Sequence, residues 1–144
     1  MRVLFNYATI SGTAQVEICG EDDALMVSEI GGKTTLDVFL PAKAREVSVF
    51  DRGNYQSNVS FTVTKLWPTA ADALTYQRTH AADIARAGVL HVENDIGAPS
   101  GAQWHYFRGG FQSVGVKCFG AATVATYSFI GGLPSATVIN PQPY

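Results

Sequence analysis

Charge is scarce in this chain. Only 15% of its 144 residues are Asp, Glu, Lys or Arg, against about 25% in an average globular protein. The ten Lys and Arg are scattered singly, Arg45 and Arg52 included, and the net charge is −2. No basic face is available for a nucleic-acid backbone. Long apolar runs are missing as well. None approaches the ~20 residues that cross a bilayer as a helix, so no membrane insertion is expected. Val3-Leu4-Phe5 stops at Asn6, short of the ~7 apolar residues of a secretory signal, and reads as a first strand. Cysteine is limited to Cys19 and Cys118. Two are too few for a disulfide framework or a thiolate metal site. Buried free thiols, made in a reducing compartment, are the expectation.

What remains is a 47% hydrophobic chain of ordinary single-domain size, able to hold a core without metal or disulfides. Its low charge has two explanations. Gly and Ala dilute the charged residues, or part of the surface is buried against other subunits.

The first 64 residues read as strands and turns. Val16 and Ile18 alternate with Gln15, Glu17 and Cys19. Gly20-Glu21-Asp22-Asp23 predicts a turn, Gly31-Gly32 a hairpin and Asp51-Arg52-Gly53-Asn54 another turn. Pro41 ends the run from Thr34 to Leu40. Over 58–65 the alternation is clean. Val59, Phe61 and Val63 point one way and Ser60, Thr62 and Thr64 the other, the period of a strand with one buried face.

The period then lengthens. From Thr69 to about Ala87 a helix is predicted, with Ala70, Ala73, Leu74, Gln77, Ala81, Ile84 and Ala85 on its buried face. Thr69 caps it with Asp72 three residues on, and Gly88 is placed for a left-handed stop. After it come strands at 89–93, 103–108, 111–119 and 123–130, with Gly109-Gly110 as a turn. The fold class expected is mostly β (α+β): an antiparallel β-sandwich or barrel over 1–132, one helix between strands, and an extended, uncharged C-terminal arm over 133–144. An arm with three prolines frays unless something holds it, and a neighbouring subunit is the natural partner.

Chemistry-bearing residues form no strong motif. His91 and Glu93 share a strand face, and with His105 nearby they would make a zinc site with an open position, hence a hydrolase. Two ordinary sheet residues and an unrelated histidine explain them as well. Trp104 and Tyr106 offer an aromatic strip for stacking on sugar rings, which defines a glycan-binding module. Packing is the commoner use of such residues. Trp67 reads as a packing anchor at the strand-to-helix corner, and His80 as a satisfied, half-buried helix residue. Gly31-Gly32-Lys33-Thr34 leads into a strand, not the helix that a phosphate loop requires.

From residue 50 to 132 the order of elements resembles a known pattern. Asn58-Val-Ser-Phe-Thr-Val-Thr enters an Ala-rich helix, which exits at Gly88-Val-Leu. Gly110-Phe-Gln-Ser-Val and Val124-Ala-Thr-Tyr-Ser-Phe-Ile-Gly-Gly follow. This is similar to small bacteriophage tail proteins, tail-tube or distal-tail-like, in which a β-sandwich carries one flanking helix. The resemblance implies a non-enzymatic virion subunit that forms a ring and contacts other tail proteins. It would be assembled in the bacterial host cytoplasm, with no cofactor and no catalytic residues. A head-to-tail joining protein or a capsid decoration protein fits the same features. The arm residues Leu133, Pro134, Val138, Ile139, Pro141 and Tyr144, with Arg52, are the candidate subunit contacts.

Overall fold

The alternation over 58–65 does what a period of two demands. Val59, Phe61 and Val63 are buried, and Ser60, Thr62 and Thr64 lie half-buried on the other face. They sit in a computed structural model that describes residues 2–39, 48–94 and 103–141, with 35–39 and 48–54 described as backbone. Among the described residues the strands are β1 (Val3–Thr9), β2 (Gly12–Cys19), β3 (Ala24–Phe39), β4 (Ser48–Leu66), β5 (Ala87–Glu93), β6 (Trp104–Phe119) and β7 (Ala122–Gly131). Helix α1 (Ala70–Asp83) lies between β4 and β5. All paired neighbours are antiparallel, in the order β2-β1-β5-β6-β7-β4-β3. The mostly-β α+β class is the one adopted.

The strands make one sheet, and that sheet curls on itself. Its edges, β2 and β3, are joined by only residues 20–23. In a flat seven-stranded sheet those edges would lie roughly 29 Å apart, whereas so short a link reaches at most about 18 Å. Phe5 on β1 and Phe129 on β7 bring their ring centroids to 6.4 Å, although two strands lie between them. Lys65 of β4 pairs with Asp23 of the 20–23 turn at 3.0 Å, and the Gly20 amide donates to the same carboxylate at 2.9 Å. β2 and β3 do not pair with each other, so the roll stays open. It stands closer to the barrel than to the two-layer sandwich of the sequence expectation.

The concave side is the core. Phe5, Ile18, Phe61, Leu90, Phe107, Tyr127 and Phe129 meet there with Ile84 at the end of α1. Each fully buried large apolar side chain contributes about 1.5–3 kcal/mol. The helix thus crosses the hollow of the roll on its way from β4 to β5. Thr69 is its N-cap, accepting from the Asp72 amide at 3.2 Å, as the sequence predicts. The helix ends at Asp83 with Ile84 as C-cap, short of Ala87. Gly88 lies inside β5 without a positive φ. A Cβ there would strike the Asn6 carbonyl and the Phe5 ring, so close packing explains this glycine. The buried face is also rotated from the expected one. Ala70, Leu74, Ala81 and Ala85 are exposed, whereas Ala73, His80 and Ile84 are buried and Tyr76 is half-buried. The ring-bearing stripe buries more area than an alanine face, so it docks.

The expected turns at Gly31-Gly32, 51–54 and Gly109-Gly110 all lie within strands. At Gly109 a Cβ would collide with the Ile130 carbonyl of β7, so the missing side chain serves strand approach. The tight turns fall at 10–11, 20–23 and 120–121, where Gly120 takes φ +59°, a hairpin conformation that favours glycine. The stop at Pro41 lies outside the described residues.

Two parts extend past the sheet body. β4 pairs with β7 only over 57–66, yet β3 and β4 pair on outward from Gly32↔Ser57. Residues 33–39 and 48–56 therefore form a ribbon of two strands whose backbones pair, among the described residues, only with each other. The other part is the C-terminal arm. β7 leaves β6 after Gly109↔Gly131, and the arm takes over that edge. Tyr106 and Ser135 exchange two backbone hydrogen bonds of 3.0 Å, and the Arg108 guanidinium donates to the Asn140 carbonyl at 3.1 Å.

Candidate functional site

The convex face of β1, β5 and β6 gathers most of the residues with chemical potential. His91 and Glu93 point to the same side and are buried at 8% and 4% exposure. Across the ladder His91 faces Tyr106 and Glu93 faces Trp104, whereas His105 faces the core residue Val92. Paired residues share a face, so His105 lies on the opposite side of the sheet from His91 and Glu93. The trio is not brought together. Among the described residues no group of three His, Cys, Asp or Glu side chains could hold a metal ion.

Glu93 is instead paired with Arg2, whose Nε donates at 2.9 Å. That hydrogen bond, reinforced by the carboxylate charge, raises the pKa of the guanidinium. Arg2 also lies 5.5 Å above the Trp104 ring. Trp104 stacks with Tyr106 at 6.3 Å, and His91 meets the Tyr106 ring edge-on at 4.7 Å. Tyr106 is only 7% exposed. The aromatic strip offered for sugars is therefore largely occupied by Arg2, His91 and the fold itself. Burial lowers the His91 pKa, which keeps the ring neutral. Its Nε2 lies 3.4 Å from the Asn6 amide nitrogen, and Asn6 Oδ1 is buried without a hydrogen-bond partner.

A second cluster lies beneath α1, and sequence patterning did not show it as a unit. His80 Nε2 and the Tyr127 hydroxyl are 2.6 Å apart, and the Tyr76 and Tyr127 hydroxyls 3.3 Å. Tyr76 stacks on His80 at 4.3 Å and meets Trp67 at 4.7 Å. Burial drives the His80 imidazole down to about 4, with the Lys65 charge adding to the effect, and pushes the Tyr76 phenol up to about 12. Burial likewise raises Tyr127. Trp67 Nε1 donates to Thr123 Oγ1 at 2.9 Å, which anchors the strand-to-helix corner as expected. His80, expected half-buried, is 3% exposed. Outside this cluster a shallow groove of about 430 Å³ is lined by Trp67, Pro68, Asp72, Thr75, Tyr76 and Thr79. The helical spacing 72-75-76-79 could have signalled one stripe. Its partner Trp67 could not be read as facing it before the corner was known.

The candidate contact residues are spread out. Leu133 and Val138 are 70% and 65% exposed, Pro134 is exposed, and Ile139 and Pro141 are half-buried. Arg52 lies on the ribbon part of β4, described there as backbone, and Tyr144 lies outside the described residues. Cys19 is buried and Cys118 half-buried, and no disulfide joins them. No protein-family model matches this chain, and no curated protein sequence matches it.

Proposed function

We propose that the chain is a non-enzymatic structural subunit that assembles with copies of itself into a ring, in the manner of bacteriophage tail components. The observation that carries this reading is the β3–β4 ribbon. A lone two-stranded ribbon is marginally stable in water. Among the described residues neither outer edge of the ribbon is paired, and such an edge is one that a neighbouring chain can pair. The 16-residue β3 is at the same time an edge of the sheet. Its inner half carries Met26 at 65% and Ile30 at 44% exposure, large apolar side chains suited to a subunit contact. Scarce charge favours such a contact by lowering its desolvation cost. On this reading the arm contributes Leu133 and Val138 as further contacts.

The test replaces residues 33–56 by Asn-Gly, a two-residue hairpin turn that joins the paired Gly32 and Ser57. The full chain is expected to show closed rings by negative-stain electron microscopy. The shortened chain should keep its β circular dichroism and lose the rings. A full chain without assemblies, or a shortened chain that assembles equally well, overturns the reading.

A further inference from the structure

We infer that the groove between α1 and the Trp67 corner binds a neutral sugar ring, stacked on the Trp67 indole. Four observations lead there.

First, the aromatic wall is rigid. The Trp67 N–H is committed to Thr123, and Tyr76 is clamped between Trp67 and His80 with its hydroxyl on Tyr127. A ligand pays little ordering entropy against such a wall. Second, the rim is polar and accessible. Asp72, Thr75 and Thr79 are exposed on one stripe of α1.

Third, the rim accepts hydrogen bonds and has few protons to give. The Thr75 and Thr79 hydroxyls donate to the carbonyls of Ala71 and Thr75 at 3.0 and 2.9 Å, which leaves oxygen lone pairs facing outward. Asp72 adds a carboxylate. Acceptors beside an aromatic face suit a ligand with an apolar C–H face and many hydroxyl donors, which a pyranose is. The carboxylate repels acidic sugars. Fourth, the volume, about 430 Å³, falls in the range of small-ligand sites, ~300–1,000 Å³. In the Trp104–Tyr106 strip, by contrast, Tyr106 is buried and the half-buried Trp104 lies beneath Arg2. The inference does not depend on assembly into rings and stands if the chain is a monomer.

The test uses a Trp104→Phe variant, in which Trp67 is the sole remaining indole. Its fluorescence is titrated with maltotriose, cellotriose and chitotriose, with galacturonic acid and choline as contrasting probes. At least one neutral trisaccharide should perturb the emission with a Kd of about 1 mM, and galacturonic acid should not. Thr79→Arg, at an exposed position, fills the groove without touching the core and should weaken binding by about tenfold or more. The same loss is expected when binding to Trp67→Ala is followed by calorimetry. The inference fails if no trisaccharide changes the signal. It fails too if Thr79→Arg binds as the parent does, or if choline or the acid sugar alone responds.

Discussion

At the scale of single residues, the buried hydroxyl–imidazole contact under α1 is the most consequential interaction. Tyr127→Phe removes the one hydroxyl that both His80 and Tyr76 reach. It should cost about 1–3 kcal/mol in urea unfolding, because polar atoms are left buried without a partner. The same site makes stability depend on pH. An unfolded histidine titrates near 6.5, whereas folded His80 is held down to about 4. Between these values the unfolded chain binds a proton that the folded chain refuses. Stability from this residue is therefore full above pH 6.5, falls as pH drops toward 4, and levels off below, for a total of about 3 kcal/mol. Around the ring stand Lys65, Asp83, Tyr76 and Tyr127. Burial lowers His91 as well, so it contributes in the same direction. Between pH 7.5 and 4.5 the parent should lose about 2 kcal/mol more than His80→Gln; equal losses would contradict this role. That His80 is satisfied was legible from its place on the helix. Its partner was not, since Tyr127 lies 47 positions away, on β7, and meets it only where α1 packs on that strand.

At the scale of elements, the beginning of α1 could be read and its end could not. Thr69 with Asp72 is a local signal, and Thr69→Ala should cost about 1 kcal/mol by thermal unfolding. The end is set by tertiary pairing. β5 claims Ala87 and Gly88 for the ladder with Gly110 and Gly109, overriding the helical period. Glycines misled in the same way. A Gly-Gly pair announces a turn when only neighbours in sequence are considered, but Gly109 is required by a strand far along the chain. Adjacent substitutions separate the two meanings. Gly109→Ala drives a methyl group into the Ile130 carbonyl and should cost about 1–3 kcal/mol or prevent folding. At Gly110 the nearest atom to a new Cβ is the Arg86 carbonyl at 3.6 Å. Gly110→Ala should therefore stay within about 1 kcal/mol of the parent in the same unfolding experiment. The arm is the remaining element. Its prolines led to the expectation of an extended arm, whereas its seat on β6 follows from where β7 leaves that edge free, which no local pattern encodes.

At the scale of the whole molecule, composition and architecture point the same way. Strand alternation and the single helix made the α+β class legible. Strand order and the curl were hidden, because they depend on which distant segments pair. The zinc trio failed for the same reason: the ladder register turns His105 away from His91 and Glu93. Among the described residues the molecule has two sheet edges that do not pair, a ribbon whose two strands pair only with each other, and few charges. The proposed self-assembly would use all three. The most direct test is the molar mass of the full chain by light scattering across a hundredfold range of concentration. A mass that settles at a fixed multiple of 15.4 kDa is the expected result. A mass of 15.4 kDa at every concentration would contradict the structural-subunit reading.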